Sequence, residues 1–419
     1  MPQPVSLPAA PTATKDTIAQ GKKLFEDNGC IKCHGTLGRA DGPSAPTLAD
    51  DWGRPIRPAD LTQSWTFRGG ATREDIFRSI TTGLNGTPMP AFGEALQPDQ
   101  RWAIVDYIDS LSGGSAGPRY TNIVLVKHLQ DTIDLSKGAA NFESATVARF
   151  PIIGQITEPV RNFHPPTTSV MVQAVHDADS IAILVRWHDI RADKEGKNSP
   201  TMAVTPEEES EEFSAAPAQA AQAPAADNPF AEAPAATTAP PSEFSDAVAI
   251  QVPSQAPTGN PKPYFIFGDG QNSVDLWFYD LAKPQPQQFL GKGSQDVTLN
   301  DSGDLTGVAN FDQGEWSVIF KRPLRPASGA ALAPGEFMPI AFSVWDGFAR
   351  ERGSRRGLSQ WFSLYMEPED VPSAAGPMLK TALSIFAIEV IVILWVRRRK
   401  APRPSRTLET AGASGDFHV

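Results

Sequence analysis

A chain of 419 residues with a formal net charge of −11 is too long for one hydrophobic core, because cores stop growing at roughly 250–300 residues and the chain then divides into domains. The acidic balance argues against a nucleic-acid surface and favours basic partners. Its two cysteines, Cys30 and Cys33, sit three apart, so they cannot build the disulfide framework of an exported protein and are reserved for something local.

The chain opens Met1-Pro-Gln-Pro-Val-Ser-Leu-Pro. This start has no apolar stretch that could serve as a secretory signal, and residues 1–16 are expected to be disordered. From there to residue 113 the pattern is that of a small all-α domain. Ile18, Gly21, Leu24 and Phe25 recur at helical spacing, as do Trp102, Val105, Ile108 and Leu111, and two terminal helices are expected to cross at Gly21. Between them the chain is rich in Gly and Pro, with one further helical stretch at about 72–82. So little regular structure must wrap around something other than itself, and a cofactor would supply the missing core.

Cys30-Ile31-Lys32-Cys33-His34 has the C-x-x-C-H spacing of c-type haem attachment, in which both thiols reach the haem from one helical turn and the next residue ligates iron. A structural zinc site would want four ligands, and no second Cys pair exists. A thioredoxin-like redox pair would want a βαβ setting, which helical flanks do not provide. No other histidine precedes His128, so the second axial ligand within this domain is a non-histidine group or is absent. Met89, in the proline-stiffened loop Asn85-Gly-Thr-Pro-Met-Pro90, is the candidate. A His/Met pair with the sixth site filled favours outer-sphere electron transfer over chemistry on a bound substrate. An N-terminal helix, C-x-x-C-H, a Met loop and a C-terminal helix together resemble class I cytochrome c, over residues 17–113.

After the hinge Ser112-Gly-Gly-Ser-Ala-Gly-Pro118 the periodicity changes to short alternating or apolar runs: 122–127, 169–175, 181–187, 247–252, 274–278, 316–320 and 340–345. Such runs predict an all-β sandwich over 119–370. It is interrupted at 204–243, where an acidic cluster runs into an Ala/Pro-rich tract that cannot bury enough apolar surface to fold and is read as a disordered insertion.

Several phrases in this half are similar to the haem-binding γ subunit of ethylbenzene dehydrogenase and of related DMSO-reductase-family molybdoenzymes, including nitrite oxidoreductases. They include Val175-His-Asp177, Trp187-His-Asp189, Asp246-Ala-Val-Ala-Ile-Gln251, Gly268-Asp269, Glu315-Trp-Ser-Val-Ile-Phe-Lys-Arg322 and Ala341-Phe-Ser-Val-Trp-Asp-Gly347. The resemblance implies a b-type haem held between a methionine and a lysine. Lys321 falls at the lysine, whereas Phe267 occupies the place of the methionine. Met171, Met338, His176 and His188 are candidate substitutes, and the alternative is a sandwich that has lost its cofactor and kept a docking role.

Met378 to Val396 is almost continuously apolar and is followed by Arg397, Arg398, Arg399 and Lys400, the pattern of a single transmembrane helix at 377–397 with a cytoplasmic tail at 398–419. Glu389 lies mid-span, where an ionisable group is costly. The expectation is therefore a three-part chain: an all-α cytochrome c domain, an all-β sandwich and one C-terminal span. It would sit in a bacterial inner membrane with its haem domains in the periplasm. Its expected role is transfer of single electrons between a redox enzyme, a molybdoenzyme with iron–sulfur subunits, and a respiratory chain through a soluble cytochrome c or terminal oxidase. Two alternatives are an open-site haem enzyme of the peroxidase or gas-binding kind, and an assembly or ligand-binding sandwich with a tethered cytochrome.

Overall fold

A computed structural model describes residues 7–53, 56–112, 119–206, 242–256, 262–300, 302–368 and 375–400. The core of the expected insertion, 207–241, and the tail beyond residue 400 lie outside the described residues. Residues up to Pro368 form one compact unit and residues from Glu369 onward a second.

The first helix, α1 (Lys15–Asp27), starts two residues earlier than the periodicity suggests. Thr14 caps it: the Thr14 hydroxyl accepts from the Thr17 N–H and the Thr17 side chain returns the bond to Thr14, which satisfies two orphan donors of the first turn. A single turn, α2 (Ile31–His34), follows, then α3 (Arg73–Thr82) with its own capping box from Thr72 and Asp75, and α4 (Pro98–Ser112). Helices α1 and α4 cross where the sequence marks it. A Cβ on Gly21 would lie 1.9 Å from the Ala103 carbonyl oxygen, so only glycine permits this approach. Behind the crossing Phe77 stacks on Trp102 at 4.3 Å between centroids. Buried Asp106 on α4 accepts from the Thr17 hydroxyl at 2.6 Å and pairs with Arg73 of α3, tying three helices to one carboxylate.

Between Ile123 and Met366 the described residues are mainly β, with one short 3-10 stretch at Leu135–Phe142. In order the strands are β1 (Ile123–His128), β2 (Ala148–Pro151), β3 (Ile153–Gly154), β4 (Ser169–His176), β5 (Ser180–His188), β6 (Ala247–Pro253), β7 (Val274–Asp280), β8 (Gln287–Gly291), β9 (Val297–Leu299), β10 (Thr306–Asp312), β11 (Glu315–Pro323), β12 (Phe337–Trp345), β13 (Gly357–Leu358) and β14 (Phe362–Met366). The seven runs expected from sequence correspond to β1, β4, β5, β6, β7, β11 and β12. The others are short or carry polar and Gly residues that blur alternation. The expected sandwich takes the form of one continuous sheet in the order β10-β11-β5-β4-β1-β14-β12-β6-β7-β8-β9. Strand β12 makes the turn between the halves: Phe337–Ile340 pair with β14 and Ala341–Trp345 with β6, the way a strand switches layers at a corner. Apolar residues from both halves, Val172 and Val185 on one side and Ile250, Trp277 and Phe342 on the other, share one core. Strand β1 pairs in parallel with both β14 and β4, a long-range closure that local periodicity cannot announce.

The second unit contains α5 (Ala375–Lys400). Its most apolar 18-residue window has a mean hydropathy of 2.1, and the helix is long and apolar enough to cross a membrane.

Candidate haem site

Helix α2 is a single turn between two glycines with positive φ, Gly29 at 73° and Gly35 at 76°. Its i, i+3 spacing sets Cys30 and Cys33 on one side, and both line a cavity of about 600 Å³, inside the roughly 300–1,000 Å³ range of cofactor sites. Burial pushes the Cys30 thiol up to about 11, and burial raises Cys33 as well.

His34 lines the same cavity. Its Nδ1 lies 2.9 Å from the Ala59 carbonyl oxygen, and since a carbonyl can only accept, Nδ1 carries the proton and Nε2 is left as the lone-pair nitrogen. Burial holds the imidazole below its ordinary pKa, against the opposing pull of the Ala59 bond and of Asp60, which keeps the ring in the neutral form that ligates metal. Hydrogen bonding of the far nitrogen to a carbonyl is also what fixes a ligating ring and raises its basicity.

Met89 lies on the cavity wall, packed against the helical core. Its loop is closed by its own backbone: the Leu84 N–H donates to the Met89 carbonyl at 3.2 Å and the Met89 N–H to the Thr87 hydroxyl at 3.2 Å. Phe67, Ile80, Phe92, Ile104 and Ile108 give the helical side an apolar floor, with Gln63, Arg68 and Ser79 among the polar residues around it. A flat apolar macrocycle with one nitrogen and one thioether for its iron fits this donor set and lining, and the four residues singled out from sequence converge on one cavity.

The far wall belongs to the β-domain. Thr167, Met171, Trp187 and His188 line it, so two of the candidate substitutes for a second haem's methionine face the first site. His188 Nε2 lies 2.8 Å from the Arg39 carbonyl oxygen, on the loop that follows His34. The other candidates are engaged elsewhere. Lys321 Nζ donates to the Ile133 carbonyl at 2.6 Å, both ring nitrogens of His176 sit against backbone carbonyls, Met338 is core, and Phe267 lies beneath the Arg356 guanidinium at 3.8 Å.

Sequence reasoning missed the residues that join the two walls. Arg57, in the loop leading to Ala59, inserts between Asp346 and Asp189 of the β-domain, with 3.4 Å from its Nη1 to Asp189 Oδ1. Carboxylate oxygens of Asp189, Asp246 and Asp346 all lie within 4.8 Å of one another. Burial works against the Arg57 charge, but Asp346, Asp189 and Glu351 outweigh it and hold its pKa above the ordinary value. Burial, with Asp346 nearby, pushes Asp189 and Glu351 up to about 8. The available signal was that three of the phrases quoted above for their family likeness contain these three aspartates at or next to an end.

Residues 18–112 match the cytochrome c family model. A putative respiratory nitrate reductase heme subunit from Haloferax mediterranei is 25% identical over 162 residues, covering 38% of this chain and 57% of that protein. The cbb3-type cytochrome c oxidase subunit FixP of Sinorhizobium medicae is 28% identical over 118 residues, covering 26% of this chain and 35% of that protein. Among solved structures, a Kuenenia stuttgartiensis reducing HAO-like protein complex shares 46% identity over 26% of this chain and 51% of that one, with a TM-score of 0.26. A family 9 carbohydrate-binding module from Caldicellulosiruptor kristjanssonii covers 60% of this chain at 10% identity, with a TM-score of 0.30. The chain thus spans only 57% and 35% of the two curated relatives. With the family match resting on the helices that enclose the Cys30–His34 cavity, residues 18–112 are an electron-transferring cytochrome c domain, which implies covalently bound haem c, joined to a large β-domain.

Proposed function

We propose that Cys30 and Cys33 attach one haem c through thioethers, that His34 and Met89 are its axial ligands, and that the chain is a membrane-anchored subunit relaying single electrons. The redox partner on one side is a DMSO-reductase-family molybdoenzyme such as a nitrite oxidoreductase with its iron–sulfur subunit, and on the other a soluble cytochrome c or terminal oxidase. The observation that carries this reading is the convergence of all four residues on one apolar cavity, with the His34 ring already turned by Ala59 to leave Nε2 free. The haem supplies the one-electron couple. The chain's own residues orient it, exclude water from it and fill both axial positions, which favours electron transfer over chemistry on a bound molecule. Lys321 would hold a second, non-covalent haem only by giving up its bond to Ile133, so the proposal is for haem c alone.

Helix α5 is proposed as a single inner-membrane span, its basic end cytoplasmic and the cavity on the periplasmic side, from its length, hydropathy and the positive-inside rule. A pyridine haemochrome assay on the native membrane complex should count one haem c per chain. A molybdoenzyme should co-migrate, and isolation of the chain alone would overturn the subunit reading. Prompt carbon monoxide binding by the reduced protein would overturn the Met89 assignment in favour of an open-site haem enzyme.

A further inference from the structure

We propose that the β-domain is a positioning element of the haem site: its acidic cluster grips Arg57 and thereby holds the Ala59 carbonyl that orients His34. The inference rests on His34 being the axial ligand, as proposed above.

Five residues do two jobs at once. In the segment Ile56-Arg57-Pro58-Ala59-Asp60 the Ala59 carbonyl accepts the His34 Nδ1 proton at 2.9 Å, while two residues earlier Arg57 reaches into the β-domain and pairs with Asp346 and Asp189. Pro58 between them has a fixed φ and little slack to absorb movement of either neighbour. On the other side of Ala59, Asp60 pins the segment locally. Its Oδ1 accepts from the Thr62 N–H at 2.9 Å and its Oδ2 from the Gln63 side chain at 2.8 Å. The carbonyl is therefore held between an anchor within the helical domain and one outside it.

The second loop flanking His34 is held in the same way. The Ala40 N–H donates to the His34 carbonyl at 2.9 Å and the Leu61 N–H to the Gly38 carbonyl at 2.6 Å, which ties the two loops together. The carbonyl of Arg39, between those residues, lies 2.8 Å from His188 Nε2 of β5. The anchors in the β-domain are themselves rigid. His188 ends β5 and Asp189 follows it, Asp346 follows β12, and the Asp346 backbone N–H and its Oδ1 are bonded at 2.8 Å to Glu351 and to the Ala349 N–H. A ligand held by a carbonyl on a loop is normally as soft as the loop. Here the loop is clamped to strand ends.

The test is a charge-balanced double variant, Arg57→Gln with Asp346→Asn, in the full-length holoprotein. It removes the grip and leaves the net charge unchanged. Loosening the Ala59 bond makes His34 a weaker donor to ferric iron, so the reduction potential should rise. The low-spin ferric electron paramagnetic resonance spectrum, which reports the ring's orientation, should shift or broaden. Arg57→Lys keeps the charge and loses the two-pronged contact, and should fall between the double variant and wild type. A folded double variant with wild-type potential and spectrum overturns the proposal. If the double variant does not fold, Arg57→Lys decides alone: movement of both readouts towards a looser ring supports the clamp, and no movement overturns it. Failure of the underlying reading looks different, because wild type would then lack the low-spin His/Met spectrum altogether.

Discussion

Replacing Gly21 by alanine tests the helix crossing on which the cavity depends. The added Cβ would meet the Ala103 carbonyl oxygen at 1.9 Å, its carbon at 2.5 Å and Tyr107 Cβ at 3.0 Å. Close carbon–oxygen approaches in proteins stop at about 3.3 Å, so α1 and α4 must separate by roughly 1.4 Å, and two of the obstructing atoms are backbone that cannot turn away. Overpacking of this kind costs about 1–3 kcal/mol. Separation also weakens the edge-to-face contact of Phe25 with Tyr107, at 5.4 Å between centroids, and the 2.6 Å bond from Thr17 to the Asp106 carboxylate, the latter being of the charged kind worth about 1.5–3 kcal/mol. Against this, alanine is the better helix former by about 1 kcal/mol. The balance is a loss of about 2–3 kcal/mol, or roughly a 30- to 150-fold shift of the folding equilibrium. Denaturant unfolding of the holoprotein, followed by the haem absorbance, measures it. A Gly21→Ala protein as stable as wild type would mean that the helices do not meet at this glycine.

Met89→Leu keeps the packing volume and removes the sulfur. It should lower the reduction potential and admit carbon monoxide to the reduced protein, whereas an unchanged spectrum would discard Met89 as a ligand. Asp106→Ala strips a fully buried carboxylate of its bonds to Thr17 and Arg73. Breaking a buried pair costs about 3–5 kcal/mol, and with the Arg73 side chain 25% exposed the expected loss is about 2–3 kcal/mol, read by the same unfolding assay. The β-domain should lose stability as pH rises from about 5 to 8. Asp189 and Glu351 hold their protons to about 8 when folded but release them near 4 when unfolded, so the folded state binds more protons across that window. Melting temperatures that stay flat or climb over it would contradict the burial of these groups. A chain ending at Pro368 should be extracted without detergent if α5 is the membrane anchor.

What could be read in advance was whatever one stretch of chain decides by itself. Ile18, Gly21, Leu24 and Phe25 announce a helix face with a close approach in it, and the motif from Cys30 to His34 announces its chemistry through spacing alone. The place of Met89 on the cavity wall is in line with the proline-stiffened loop that singled it out, in a domain where no histidine other than His34 precedes His128. Strands with long apolar or alternating runs, such as β5 and β11, were equally plain. Strand β14, Phe362-Ser-Leu-Tyr-Met366, alternates just as well in its burial, but it is five residues long and takes its place by long-range pairing with β1 and β12. The Ala59 carbonyl could not have been found, since a backbone acceptor carries no side-chain signal. Arg57 and Asp346 lie 289 residues apart, and neither is informative until the fold places them together.

The acidic cluster beside the cavity could act on the haem through its field or through the loop it holds, and the two effects separate by magnitude. Four acids with all charges exposed to the cavity would stabilise ferric iron strongly. Arg57, however, pairs its single positive charge with Asp346. Asp189 and Glu351 keep their protons in neutral solution, and Asp246 is pushed well above its ordinary value by burial and by Asp189 and Asp346. Little net negative charge remains to be felt across the wall. The geometric effect has no such cancellation: Arg57 is tied to the carbonyl on His34 through Pro58, whose φ is fixed. A cluster that carries several carboxyl groups yet little charge is suited to gripping an arginine without imposing a field on the site behind it.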